Sequence, residues 1–251
     1  MTAHPITHER RATGPAAPFD PALLAGLDEP LRRYFRHAIR DGAPLPDGVR
    51  VTMHGRIRLG TWLPFTAEQA SYADAFSWRA RVAAGPLTLF RVTDSFTDGV
   101  GRVDARLFGR LPLIRSADED TARSAAGRAA LEAAAYAAPL LLTHPGVRWE
   151  TGNAESIVAR WAVGPERPEV RIGIDEAGAV RTVSAPRWGK QGTARFQYIP
   201  FGGELAGERR FGPYRLPSLV SVGWWWGTPR YAPFFQAELL DVTPLVRPLL
   251  A

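Results

Sequence analysis

From Val49 to Leu59 the chain alternates. Val49, Val51, Met53, Gly55, Ile57 and Leu59 form one set, and Arg50, Thr52, His54, Arg56 and Arg58 fall between them. A period of two sends successive side chains to opposite faces, so this segment predicts a strand with one buried and one wetted face. The pattern returns at Phe76, Trp78, Ala80 and Val82 against Ser77, Arg79 and Arg81, and at Val103, Ala105 and Leu107 against Arg102, Asp104 and Arg106. Shorter segments at 157–163, 170–174, 180–183, 195–199, 219–225 and 231–242 read the same way. Gly164-Pro165 and Asp175-Glu-Ala-Gly178 supply turns between them, and the sum is an antiparallel sheet.

Two stretches break the period. Asp20 and Pro21 suit an N-cap and a first helical position, and Leu23, Leu24, Leu27, Leu31, Tyr34, Phe35, Ala38 and Ile39 follow at helical spacing until Gly42 and Pro44. A helix is therefore expected near 21–40. A second, near 118–142, has Ser116 or Asp118 as cap, Glu119 and Asp120 at its positive end, an alanine-rich body and a Pro139 that kinks or ends it. A twisted sheet must cover its apolar face. The expected fold is thus mainly β (α+β): a single curved antiparallel sheet or half-barrel wrapped around one long alanine-rich helix, with an N-terminal helix beside it. Residues 21–251 make one domain after a disordered leader over 1–20. The alanines allow either flush packing on the sheet or a lipid-sized groove beside it, and the pattern leaves both open.

At 251 residues and 45% apolar content, the chain has enough material for a full core. Its formal charge of +6 rests almost wholly on arginines scattered along the sequence, Lys190 being the only lysine. A nucleic-acid binder concentrates its cations, so no nucleic-acid partner is expected. The absence of cysteine excludes disulfides and thiolate chemistry. Neither a signal-peptide core in Met1 to Asp20 nor a membrane-length apolar run is found, giving a soluble protein placed by default in the cytoplasm.

Candidate chemistry is sparse. His4, His8, His37, His54 and His144 share no metal-ligand spacing, and no serine sits in a nucleophile-elbow context, so neither metal, cofactor nor hydrolase triad is expected. Gly99-Val-Gly101 lacks the third glycine of a dinucleotide fingerprint and reads as a hairpin turn. Asp94 and Glu204 are the carboxylates that could act as general acid and base beside Arg187. Against that, Asp94 reads as a strand-end or turn residue and Glu204 as an ion-pair partner of Arg187 or Arg209. In a strand, Trp224 and Trp226 would face one way and Trp225 the other, as core, as an aromatic rim for an amphiphile, or as a contact patch for a partner protein.

Phe201-Gly-Gly-Glu204, Arg209, Phe211-Gly212, Arg215, Pro217 and Gly223-Trp224 together form a signature. On it, and on Gly146-Val-Arg-Trp-Glu150, Arg123 to Arg128, Asp94, Gly99 to Gly101 and Arg32 to Tyr34, the chain resembles an uncharacterised bacterial family of unknown function over about residues 28–242. Gly207, Pro213 and Ser221 depart from that pattern. The resemblance implies a fold like the half-barrel proteins of lipoprotein localisation, which hold acyl chains. Membership of such a family implies no activity; the leading expectation from the residues themselves is a non-enzymatic protein binding an apolar or amphiphilic molecule in a cavity or groove between sheet and helix, with Trp62, Trp78 and Trp224 as apolar wall and Arg187 and Arg209 facing an anionic head group. An enzyme using Asp94 or Glu204, or an interaction module using Trp224 to Trp226, are the alternatives.

Overall fold

The computed structural model describes residues 4–5 and 17–245. Its strands are β1 (His4–Pro5), β2 (Gly48–Leu59), β3 (Thr61–Tyr72), β4 (Phe76–Ala84), β5 (Leu87–Thr97), β6 (Val100–Leu107) and β7 (Leu111–Ser116), followed by β8 (Arg148–Asn153), β9 (Ser156–Arg160), β10 (Glu169–Ile174), β11 (Val180–Gly189), β12 (Gln197–Phe211), β13 (Tyr214–Trp224) and β14 (Ala232–Leu245). All belong to one antiparallel sheet in the order β1-β8-β9-β10-β11-β12-β13-β14-β2-β3-β4-β5-β6-β7. With β1 and β7 as its two ends, the sheet is open, in keeping with the expected curved antiparallel architecture.

The helices differ from expectation in two places. Asp20 does cap, accepting from the backbone of Ala22, but it opens only a short 3-10 turn, Pro21–Leu24. Gly26, at φ 85°, redirects the chain before α1 (Glu29–Ala38) begins. The alanine-rich stretch is likewise two helices, α2 (Glu119–Tyr136) and α3 (Ala138–Leu142). Ala137 leaves helical geometry between them, and Pro139, lacking an N–H, sits in the first turn of α3, where none is needed. Asp118 rather than Ser116 is the α2 cap, its carboxylate accepting from the Thr121 amide at 2.8 Å and hydroxyl at 2.6 Å. These bonds hold the Asp118 carboxyl below its usual range.

Most of the expected leader lies outside the described residues. At its end, residues 17–20 belong to the domain: Phe19 is fully buried and its backbone pairs with Ala43.

Helix α2 lies across the concave side of the sheet, touching β6 on one wall and β10 and β11 on the other. Small residues permit this. A Cβ at Gly101 of β6 would come within 2.7 Å of the Ala122 Cα, and one at Gly127 of α2 within 3.1 Å of the Arg187 side chain. Of the two packing modes the alanines allow, flush contact holds here.

Gly202, Gly203 and Gly223 lie within β12 and β13, while the turn between these strands falls at Gly212-Pro213. A Cβ at Gly203 would press into the Ser221 carbonyl, and one at Gly55 into that of Gln236. The glycines therefore mark where neighbouring backbones approach too closely for any side chain.

Candidate functional site

Cross-strand register decides which residues share a face. Val51, Gln69, Trp78, Asp94 and Val103 are direct neighbours across β2 to β6. This row faces inward, since Gln69 and Trp78 are buried and Arg128 of α2 reaches Asp94. A second row, Thr182, Glu204, Ser221, Gln236, Arg56 and Pro64, crosses β11, β12, β13, β14, β2 and β3. Val51 and Arg56 are five positions apart on β2, so the rows lie on opposite faces.

That geometry sorts the expected residues. Trp78, Asp94, Arg187 and Trp224 come together on the inner face. Glu204 is outside, so Asp94 and Glu204 form no acid–base pair. Neither does Glu204 pair with Arg187 or Arg209: Arg187 bonds Ser124, and Arg209 bonds Glu238 at 3.0 Å and the Leu239 carbonyl. Trp62 is no inner wall either, because it shares the outer face with Arg56, whose guanidinium lies 5.0 Å from its ring. Asp94 is in the middle of β5 rather than at a strand end.

The tryptophan triplet does not alternate as a strand would. β13 ends at Trp224, and Trp225, at φ 66°, starts the turn into β14. Trp224 packs edge-on to Phe201 at 4.9 Å, Arg230 covers Trp225 at 3.7 Å, and Trp226 meets Tyr231 at 4.8 Å. All three indoles are half-buried.

At the centre of the inner face is a charged cluster whose helical half the sequence pattern did not single out. Arg128 donates to Asp94 at 2.6 Å, to Glu132 at 2.8 Å and to Gln69 at 3.3 Å, and lies over the rings of Phe76 and Trp78. The Gln69 amide donates to Glu132 at 2.6 Å and sits 2.8 Å from the Tyr136 hydroxyl and 2.7 Å from that of Ser71. Arg128 and Glu132 are spaced i,i+4 on an otherwise alanine-rich face, which is the sequence signal for them.

Burial raises the Asp94 carboxyl above its ordinary range, with Arg128 and Arg187 opposing and Glu132 reinforcing the shift. Since the native state then holds the Asp94 proton more tightly than the unfolded chain, this group's stabilising share is fully present below the ordinary aspartate value of about 3.9 and is lost as pH rises through the raised native value. Asp94→Asn cannot ionise. The stability gap between wild type and this variant should therefore narrow from acid to neutral pH in urea titrations, and a gap that widens would contradict the assignment.

Arg187 differs from Arg128. Its Nε donates to the Ser124 carbonyl at 3.1 Å and it approaches the Ser124 hydroxyl at 3.4 Å, but no carboxylate bonds it. It lies 4.7 Å from the Phe201 ring and 5.0 Å from Trp224. Burial, and then repulsion from Arg128, draw it down to about 10, so it remains a cation at neutral pH. Nearby, Trp78 Nε1 and Asp94 Oδ1 are buried without a hydrogen-bond partner among the described residues.

Beyond the cluster, Ile57, Leu63, Phe90, Val92, Val222, Trp224 and Phe235 pack against the core yet stay only partly buried. Val222, Phe235, Ile57 and Leu63 are successive partners across four strands on the same face as Asp94. The concave surface is therefore apolar and partly open beside a buried cation. Two grooves lie on the outside, one at Arg171, Arg181 and Trp226, the other at His54, Glu204 and Glu238. Among the described residues no group of three or more histidines and carboxylates could hold a metal, and no helix is long and apolar enough to cross a membrane.

No curated protein matches the chain. Among solved structures, a LolA superfamily protein from Nitrosomonas europaea is similar, with 9% identity and a TM-score of 0.44 over 87% of this chain and 93% of that one. A DUF1329 family protein from Desulfovibrio piger is similar at 7% identity and a TM-score of 0.45, over 79% of this chain and 86% of that one. The sequence profile of a family of unknown function, DUF6920, matches residues 25–243, nearly the whole chain and the span its signature residues mark out, and the protein belongs to that family.

Proposed function

We propose that the protein is a non-catalytic binder of an amphiphile with an anionic head group, held on the concave face of the sheet beside α2. The observation that carries this reading is Arg187. It is a cation on the inner face, walled by Phe201 and Trp224, with no carboxylate bonded to it. Such a guanidinium suits a bidentate carboxylate or phosphate. The half-open apolar row from Val222 to Leu63 offers the tail a surface, and apolar area left in contact with water is a common mark of a binding face.

Because α2 is flush with the sheet at Gly101 and Gly127, a tail lying deeper than this row would require the helix to move.

The test is displacement of a fluorescent anilinonaphthalene sulfonate probe by oleate and by uncharged oleyl alcohol. Oleate should compete, and Arg187→Gln should weaken oleate by about tenfold, the loss of one charge-assisted hydrogen-bond pair, while changing oleyl alcohol little. Equal weakening of both ligands, or no competition by oleate, would rule the reading out.

A further inference from the structure

The outer surface of the other half of the sheet has a different character. Arg81 of β4, Arg91 of β5 and Arg106 of β6 are direct cross-strand neighbours. Like charges placed opposite one another repel, so an undisturbed sheet surface disfavours such a row. Asp104 relieves one end by pairing with Arg106 at 2.7 Å and Arg115 at 3.1 Å. Among the described residues Arg81 and Arg91 have no ion pair. Residues 76–116 hold seven arginines and three aspartates, and one of those aspartates, Asp94, faces inward.

Beside this row the sheet ends in β7, exposed along nearly its whole length. Leu113, left unpaired at the register shift of β7, is 57% exposed and Phe108, in the turn from β6, 52%, while Leu111 pairs with Leu107 on the opposite face. Phe108 takes φ 51°, a conformation that costs a bulky side chain free energy, and its amide donates to Leu89 at 2.7 Å, which places it near exposed Leu87. Arg110 stands between Phe108 and Leu111. Large apolar side chains held in water beside unpaired arginines call for an occupant that is both anionic and apolar.

A second strand does not fit. Pro112 has no amide to donate, and the register shifts between Ala105 and Arg106: these are devices that keep a strand from pairing with another chain.

We propose that the outer face of β4 to β6, with edge strand β7, docks on an anionic lipid bilayer, Phe108 and Leu113 entering the interface and Arg81, Arg91 and Arg110 meeting the head groups. Basic residues near an anionic leaflet and apolar side chains in the interface act together, and neither half of this surface needs the other ligand classes. A nucleic acid would satisfy the arginines while leaving the leucines in water.

The experiment is sedimentation of the full chain with vesicles of phosphatidylglycerol or of phosphatidylcholine, at low and high salt. Binding should be confined to phosphatidylglycerol and weaken with salt, since screening shortens the reach of the arginines. Reversing two charges in Arg81→Glu with Arg91→Glu should lower partitioning by at least about tenfold. Phe108→Ser with Leu113→Ser should lower it as well, and because all four positions are on the surface the thermal melts should match wild type. Absence of binding to phosphatidylglycerol, or equal binding to both vesicles, would overturn the proposal. So would tighter binding to a single-stranded oligonucleotide that Phe108→Ser leaves unchanged, or a dimer in light scattering that Phe108→Ser abolishes without vesicle binding.

Discussion

Arg128→Leu should cost about 3–5 kcal/mol in urea unfolding, the usual range when one partner of a buried ion pair is removed. Arg128 is the shared donor for Asp94, Glu132 and Gln69, so leucine leaves two carboxylates beneath α2 with no cation bonded to them. Arg187 is near enough to influence Asp94 electrostatically but donates to Ser124 instead. Coupling provides the check. Neutralising the acid as well, in Arg128→Leu with Asp94→Asn, should recover part of the loss, because the remaining penalty comes from uncompensated charge rather than lost volume. Effects that add within about 0.5 kcal/mol would show that the two side chains do not act as a pair.

Gly203→Val should be comparably damaging, lowering stability by about 3 kcal/mol, at the upper end for overpacking. The obstacle is backbone. A Cβ there would press into the Ser221 carbonyl and come within 2.7 Å of the Val222 Cα, so no rotamer change relieves it and β12 must separate from β13. A thermal melt for Gly203→Val that matches wild type would mean that the strands do not approach as closely as described.

The sheet was legible wherever its inner face is uniformly apolar. β2, β4 and β6 alternate cleanly, and the family signature, marked out over about 28–242, agrees with the match over 25–243. β3 and β5 did not stand out because their inward positions include Gln69, Ser71 and Asp94, which face the Arg128 cluster and break the apolar period. β7 was hidden by the opposite circumstance, apolar residues on a strand that stays exposed. Half the site followed the same logic. Trp78, Asp94, Arg187 and Trp224 were identifiable as unusual residues, whereas Trp62 and Glu204 are equally unusual yet face outward. Only register separates the two groups, and register across fourteen strands is not a local property of sequence. Trp225 adds a further case. Its positive φ ends the strand where aromatic content alone predicts that it continues.

Amphiphile binding at Arg187 is most directly tested by native mass spectrometry of the protein purified from its own host, before and after incubation with oleate. A bound mass the size of a single lipid, present in wild type and diminished in Arg187→Gln, is the expected result. The bare chain mass in both wild-type samples, with α2 as well protected from hydrogen exchange after oleate as before, would contradict it.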